Sequence, residues 1–326
     1  MDPSFAKENQ DLQYTWDRYE AGHLDRYLVK GVEDPRINIQ SILNRAYVID
    51  TLWPDTYTGG IYLELRYGTI LTWLLKQIES GQSVEDIRGR IQNNDVPSVV
   101  RETGQWLQGS HCPFPDFIEL ALDYRNPTQP EFGFSEWVLS LFCDYWKNKL
   151  SMKTSKPIHV LEVACGSAND YRYLVKTGLA DLLQYTGMDI SAKNIANAKK
   201  RFPEVAFIQC SILENGLQDK KFHYAYVFDL FEHLSPRACL FAMDELIRVT
   251  CNEIWIHLFN AHFGPEDLIC KKEFYYWNAL SVPRLQAYLT TKVKSLDCVV
   301  ITDFLHDKFG FDEYYNPHAV MLHVTV

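Results

Sequence analysis

The sequence predicts an α/β fold with a mainly parallel sheet, and three observations carry that prediction. An apolar run ending near residue 163 is followed by a turn of small residues and a helical pattern. Apolar segments then alternate with helical patterns along the rest of the chain. Acidic residues, Glu162 and Asp189, stand at the ends of the first two apolar segments. This alternation is typical of a parallel sheet whose ligand site lies at the carboxyl ends of its strands.

The segment 160–170 carries the most information. Small residues in its turn, such as Gly166, let the backbone approach a ligand closely. The helix that follows offers free N–H groups to that ligand. Glu162 can hold an amino group or ribose hydroxyls, and in doubly wound folds an acid after the second strand commonly takes the ribose. Together these features suit a nucleoside with a charged tail, although such a turn also occurs in α/β proteins without a ligand.

The later elements continue the alternation. A serine, Ser191, is positioned to cap the helix after the second strand, and Pro203 stops that helix. The predicted strands are 183–188, 205–210, 224–228 and 253–259, and the predicted helices between them are 192–201 and 236–249.

In this order the segments resemble the class I S-adenosylmethionine (SAM)-dependent methyltransferase family over roughly residues 135–326. The matching segments are Glu162-x-Ala164-x-Gly166-x-Ala168 (the acid and glycine-rich loop), 185–191 (the ribose-binding strand end), 207–212 (the adenine-binding segment) and 222–234 (the fourth strand and catalytic loop). The resemblance implies a Rossmann-like, seven-stranded, mainly parallel sheet with one antiparallel C-terminal strand. That strand belongs to a closing hairpin, Leu296–Phe304 and Ala319–Val326.

The resemblance also implies SAM as the cofactor. The residues it assigns to SAM are Glu162, Ala164, Gly166, Asp189, Ile190, Ser211, Ile212, Phe228 and Asp229. Ala164 and Ala168 replace the usual glycines, and alanine fits there if the local φ is negative. Ser211 replaces a common Asp, so we expect the adenine to depend on the Ile212 backbone and apolar walls. A nicotinamide dehydrogenase would need a third small residue where Asn169 stands.

The resemblance implies methyl transfer. The histidines near the strand ends favour an oxygen acceptor, hydroxyl or carboxylate, of a small molecule or short peptide-like metabolite. His233 and His262 are candidate bases, since histidine titrates near neutrality, and Glu232 is a third catalytic candidate. The same acid–His pair can be purely structural. An amine acceptor is the alternative, oriented by Glu232, Asp229 or a tyrosine. A catalytically silent partner subunit with a SAM fold is a further alternative.

The first part of the chain, residues 1–133, is predicted to be a mainly helical cap and connector before a core at 134–326. Aromatic faces attract cations, so four of its side chains are candidates for covering the sulfonium and substrate: Tyr14, Trp16, Tyr19 and His23. The alternative is that these helices pack or form a homodimer. Helix starts are predicted at Ser83 and near Pro97.

Composition narrows the partners. The net charge of −10, from 42 acidic and 32 basic residues, argues against a nucleic-acid surface. The eight cysteines form no C-x-x-C pair, which favours free thiols in a reducing compartment over a zinc site or disulfides. No signal-like start and no apolar run of membrane-spanning length occurs in the sequence. We therefore expect a cytoplasmic enzyme that binds no metal, nucleic acid or membrane.

Overall fold

The structure is a computed structural model. It describes residues 5–19, 46–48, 50–52, 70, 73–74, 77–78, 80–106, 158–176, 179–309 and 316–326. These residues fall into two compact units. One unit contains helix α1 (Ala6–Tyr19) and every strand, and the other contains α2 (Val84–Gln92) and α3 (Ser98–Trp106). Ser83 caps α2 through a hydrogen bond that its side chain accepts from the Asp86 N–H, as its sequence predicts. The division at residue 133 falls outside the described residues and stays a prediction.

The larger unit is built on one sheet. Its strands are β1 (Ile158–Val163), β2 (Leu183–Asp189), β3 (Ala206–Gln209), β4 (Phe222–Val227), β5 (Thr250–Leu258), β8 (Ser295–Val300) and β9 (Val320–Thr325), and a separate parallel pair is β6 (Ala261–His262) and β7 (Leu280–Ser281). The order across the sheet is β3-β2-β1-β4-β5-β9-β8, and only β9 runs against the others. The Rossmann-like, seven-stranded sheet with one antiparallel strand is confirmed.

Helices cover the sheet between the strands. They are α4 (Asn169–Lys176), α5 (Ala192–Arg201), α6 (Pro236–Val249), α7 (Val282–Leu289) and α8 (Ile301–Phe309). Serine side chains cap three of them by accepting a backbone N–H from the first turn: Ser191 on α5, Ser235 on α6 and Ser281 on α7. The predicted helices 192–201 and 236–249 are confirmed. One short 3₁₀ turn, Phe231–His233, follows β4.

The C-terminal hairpin differs from its prediction. The strand predicted over Leu296–Phe304 ends at Val300, and α8 begins at Ile301. Ile301 and Leu305 are both fully buried. Their spacing of four places them on one face of a helix, whereas a strand would bury residue 303 between them, and Asp303 is exposed.

The sheet order reverses direction at β1, because β2 lies on one side of it and β4 on the other. Ligands of open α/β sheets bind at the carboxyl edge beside such a switch point. Helix α1 belongs to the same hydrophobic core, through Phe5 and Leu12, each 3% exposed. The candidate site therefore lies at the carboxyl ends of β1 and its neighbours.

Candidate active site

The loop after β1 bends tightly and has left-handed backbone at its small residues. Ala164, Gly166 and Ala168 have φ angles of 61°, 54° and 62°. The condition of negative φ, under which alanine would fit here, is therefore not met. The turn explains it: the Cys165 N–H donates to the Met188 carbonyl on β2, and the Ala168 N–H donates back to the Cys165 carbonyl. Left-handed φ costs an L-residue other than glycine roughly 1–2 kcal/mol.

Asp189 fastens this loop to the end of β2. Its carboxylate accepts hydrogen bonds from the Gly166 N–H at 2.9 Å, the Ser191 N–H at 2.8 Å and the Asn194 amide at 3.2 Å. Burial raises the pKa of Asp189, while these hydrogen bonds lower it and the charge of Asp17 raises it further. A Cβ added at Gly166 would meet no atom within 4 Å, so the space in front of the loop is open.

Glu162 is buried in β1. The hydroxyls of Tyr185 on β2 and Tyr226 on β4 donate to Glu162 Oε2 at 2.5 and 3.0 Å. Burial raises the pKa of Tyr185, and the neighbouring Glu162 charge raises it further. The acid that the sequence assigns to SAM is thus 2% exposed and connected to both neighbouring strands.

Helix α1 crosses the ends of β2 and β3. Asn9 Oδ1 accepts from the Ser211 hydroxyl at 2.7 Å, and Asp17 accepts from the Ser191 hydroxyl at 2.6 Å. Glu8 accepts from both the N–H and the hydroxyl of Ser235, at 2.7 and 2.8 Å.

The predicted adenine segment, β3 to Ile212, is thus in contact with α1. Ile212 is buried and Ile190 is partly buried against the same core. The contacts from α1 to serines across the edge were not foreseen from the sequence.

A cavity of about 290 Å³ opens beside the ends of β4 and β5. Its described lining comprises Thr15, Trp16, Asp229, Glu232, His233, Phe259, Tyr275 and Trp277. We call it the aromatic cavity. Of the aromatic candidates in the first part of the chain, Trp16 lines it, whereas Tyr14 is 45% exposed and its ring contacts Phe274. The Tyr19 side chain and His23 lie outside the described residues.

His233 lies in the wall of the aromatic cavity. Its Nδ1 is 3.2 Å from the Tyr276 carbonyl, which can only accept, so Nδ1 carries the proton and Nε2 has the free lone pair. Burial lowers the pKa of His233, opposed by the Tyr276 contact and by Asp229, so the ring is neutral at pH 7. His262 is not among the described lining residues, and its Nδ1 accepts from the Gly264 N–H at 3.0 Å.

Two carboxyl groups accompany this histidine. Glu232 is fully buried, and neither of its carboxyl oxygens has a hydrogen-bond partner among the described residues. Burial raises the pKa of Glu232 well above its usual range and Asp229 raises it further, while its own backbone N–H has a smaller, opposing effect. Asp229 has a φ of 52° and lies 3.2 Å from His257 Nδ1. Strained backbone of this kind concentrates at functional sites. The preceding Phe228 is 7% exposed, with its ring against those of Tyr226 and His257.

The remaining walls come from residues that the sequence analysis did not select. Phe259 follows β5, and Tyr275 and Trp277 lie on the segment after it. Asn278 anchors that segment, since its N–H donates to the Glu232 carbonyl at 2.9 Å and its side chain to the Leu234 carbonyl at 2.8 Å. The only sequence signal was the aromatic run 274–277 in a region without regular periodicity.

Comparison with known families matches residues 160–252 to a family model described as a methyltransferase domain. The match starts in β1 and ends in β5, and it includes the loops after β1, β2 and β4. The chain contains a class I SAM-dependent methyltransferase domain. SAM is accordingly its cofactor, and the open space before Gly166, the Asp189 carboxylate and the left-handed loop fit a nucleoside at this edge.

Two solved structures with low similarity to this chain are methyltransferases. One is 1,6-didemethyltoxoflavin-N1-methyltransferase from Burkholderia thailandensis, with bound 1,6-didemethyltoxoflavin and S-adenosylhomocysteine: 16% identity, 65% of this chain and 85% of that chain covered, TM-score 0.40. A second is a SAM-dependent methyltransferase from Mesorhizobium loti: 10% identity, 56% and 96% covered, TM-score 0.40. No curated protein sequence matches the chain. None of the described helices has the length and apolar character needed to cross a membrane.

Proposed function

We propose that this methyltransferase acts on a small molecule bound in the aromatic cavity. The observation that supports this best is Glu232, a fully buried residue of the cavity wall whose carboxyl oxygens have no hydrogen-bond partner among the described residues. The cavity adjoins the strand ends next to the switch point, where α/β sheets bind their ligands. Its volume of about 290 Å³ is at the lower end of small-molecule pockets.

For the cofactor we propose the carboxyl edge of β1, β2 and β3. Asp189 would take the ribose hydroxyls, and the N–H groups of the loop after β1 would face the charged tail. The Ser211–Ile212 segment would border the adenine, with Asn9 beside it. SAM supplies the methyl group as the electrophile of an in-line displacement. The task of the protein is then to hold the acceptor in line and exclude water, and such alignment can lower the barrier by roughly 7–11 kcal/mol.

The N-terminal helix would serve as part of the lid. Thr15 and Trp16 line the aromatic cavity, while Asn9 and Asp17 contact the serines that follow β3 and β2. A lid at this position would separate the reacting atoms from water. These contacts support a cap role for α1, and the same role for the rest of residues 1–133 stays a prediction.

Two acceptor atoms have support in the cavity. A hydroxyl acceptor is favoured by His233, whose unprotonated Nε2 is able to take a proton while Nδ1 holds the Tyr276 carbonyl. A positioned base accelerates such a step by about 10²–10⁴-fold. If this is the reaction, His233→Gln should lower kcat by about 10²-fold with SAM affinity unchanged. Glu232 favours an amine instead.

Calorimetry of the full chain with SAM and with S-adenosylhomocysteine tests the cofactor site. Transfer of labelled methyl from SAM to a fractionated metabolite extract tests the acceptor class. We expect binding of both nucleosides and label in the small-molecule fraction, lost in Glu232→Gln and kept in Glu204→Gln, which removes an exposed carboxylate. Absence of nucleoside binding would contradict the assignment. Binding without any transfer would favour a silent partner subunit.

A further inference from the structure

The charges around the aromatic cavity are all of one sign. Its described lining contains two acids, Asp229 and Glu232, and no lysine or arginine. His233 adds no positive charge at pH 7, because burial lowers its pKa. An anionic acceptor, such as a carboxylate, would therefore find no positively charged partner among the described residues of the cavity. A cation would be attracted to the same cavity.

Glu232 indicates which hydrogen-bond donors that cation must have. Both of its oxygens are buried without a hydrogen-bond donor among the described residues. A buried carboxylate without a partner costs free energy that paired donors recover. An ammonium group supplies three N–H donors from a compact charge. A hydroxyl supplies a single donor and no charge.

The aromatic residues that line the cavity suit the apolar part of a ligand that carries a positive charge. The rings of Trp16 and Tyr275 are 4.9 and 5.8 Å from the His233 ring, and Trp277 is 5.2 Å from it. Phe259 packs 6.0 Å from Trp277. Aromatic faces attract cations and also bury apolar surface. A small apolar or aromatic amine matches this combination of rings and acids.

We infer that the methyl acceptor is the nitrogen of a small apolar amine, which enters as an ammonium, pairs with Glu232 and gives its proton to that carboxylate. This inference rests on the function proposed above. It assigns Glu232 a catalytic role, since its carboxylate contacts the reacting nitrogen, and it gives the surrounding rings the role of holding the charge.

The steps balance. Glu232 first loses its own proton to solvent as the ammonium binds. The ammonium then transfers one proton to the Glu232 carboxylate, which leaves a neutral amine with its lone pair free. That lone pair forms the new N–C bond with the methyl carbon as the C–S bond of the sulfonium breaks, and the bonding electrons leave with sulfur. The products are S-adenosylhomocysteine and a methylated ammonium, whose charge is stabilised by Asp229 and the rings, and Glu232 is left protonated.

Matched probes test the charge requirement without knowledge of the natural acceptor. Three aryl-alkyl amines (benzylamine, 2-phenylethylamine and 3-phenylpropylamine) are compared with the alcohols of the same carbon skeleton. Binding to the full chain saturated with S-adenosylhomocysteine is measured by calorimetry and saturation-transfer NMR. The variants are Glu232→Gln, which is isosteric with the neutral acid, and the surface control Glu204→Gln.

We expect at least one amine to bind more tightly than its alcohol. Glu232→Gln should weaken that amine by about tenfold or more, and leave S-adenosylhomocysteine and the alcohols unchanged. The control should leave all affinities unchanged. The inference is overturned if every alcohol binds as well as its amine, or if Glu232→Gln leaves amine affinity intact. Failure of S-adenosylhomocysteine itself to bind the wild-type chain would instead reject the proposed function.

Discussion

Tyr185 donates a hydrogen bond to Glu162 Oε2 at 2.5 Å, and Tyr226 donates to the same oxygen at 3.0 Å. The carboxylate on β1 is therefore linked to β2 on one side and to β4 on the other. Strands β1 and β2 border the proposed cofactor site, and β4 ends beside the aromatic cavity. The acid that resembles the SAM-binding acid of the family also holds the switch point of the sheet together.

Removing the Tyr185 hydroxyl should destabilise the fold. Tyr185→Phe keeps the buried ring but takes one donor from a buried carboxylate, at a cost of about 1.5–3 kcal/mol in the free energy of unfolding. Chemical denaturation measures this. The control is Tyr224→Phe, which removes a hydroxyl from β4 in a ring packed 5.6 Å from Trp255. Equal stability of both variants would contradict a structural role for the Glu162 contact.

Asp189 should govern cofactor affinity. Asp189→Asn removes the negative charge from the end of β2 while keeping the size of the side chain, so we expect SAM binding to weaken by roughly 1–3 kcal/mol. Calorimetry with SAM measures the loss, and a melting curve shows whether the loop remains folded. Asp181→Asn, at an exposed position before β2, is the control. Unchanged affinity in Asp189→Asn would remove this carboxylate from the proposed site.

The loop after β1 stores strain that glycine would release. Ala164 has a φ of 61°, so Ala164→Gly should raise the free energy of unfolding by about 1 kcal/mol. Ala196 lies exposed in α5, and Ala196→Gly should lower it by about 1 kcal/mol, the usual effect inside a helix. Opposite signs in chemical denaturation support the left-handed backbone at 164. A loss of stability in both variants would contradict it.

The sheet and its ligand edge were predictable because their signals are local. The periodicity of 192–201 and 236–249 and the serines before them define helices α5 and α6 within one or two turns of sequence. The acids Glu162 and Asp189 could be selected because each stands at the end of an apolar segment. The positive φ of Ala164 was not predictable. The turn that is held by the hydrogen bond from the Cys165 N–H to the Met188 carbonyl outweighs the preference of alanine for negative φ.

The acceptor side of the site depends on contacts between distant parts of the chain. Trp16 and Trp277 line one cavity although about 260 positions separate them. The pairing of Asn9 with Ser211 likewise joins the N-terminal helix to β3. No periodicity encodes such contacts, so the sequence identified Trp16 as one aromatic candidate among four and missed Trp277 altogether.

Glu232 should make the free enzyme less stable as the pH rises. Burial and Asp229 raise the pKa of Glu232 in the folded state well above the usual range. In the unfolded chain the pKa of this carboxyl is about 4.3. Between these values the folded state holds a proton that the unfolded state has released, so stability falls from about pH 4.3 upward until the folded group ionises. Glu232→Gln, which cannot titrate, should match the wild type near pH 4 and be more stable at pH 7.5.

Denaturation at both pH values, without amine ligand, measures this difference. The rest of the chain is the same in both proteins, so its direct contributions largely cancel in the comparison. Glu204→Gln should show no such pH-dependent gain, because its carboxylate is exposed. A constant difference between wild type and Glu232→Gln at all pH values would mean that the carboxyl ionises alike in the folded and unfolded chain.

Two substitutions in α1 should separate the cofactor and acceptor sides of the site. Phe5 and Leu12 anchor this helix in the core, so point changes on its other positions are cleaner than deletion. Asn9→Ala removes the contact to Ser211 and should weaken SAM binding by about 0.5–1.5 kcal/mol. Trp16→Ala opens the wall of the aromatic cavity and should raise KM for the acceptor with the Kd for SAM unchanged.

Gln10→Ala is the matched control, because Gln10 is exposed on the same helix. Calorimetry with SAM and with amine in the presence of S-adenosylhomocysteine gives the two affinities for each variant. If α1 is a lid over both ligands, Asn9→Ala weakens only SAM binding and Trp16→Ala weakens only amine binding. The control changes neither affinity. If α1 serves only packing, both variants lower the melting temperature and leave the two affinities of the folded enzyme at wild-type values, which would reject the lid.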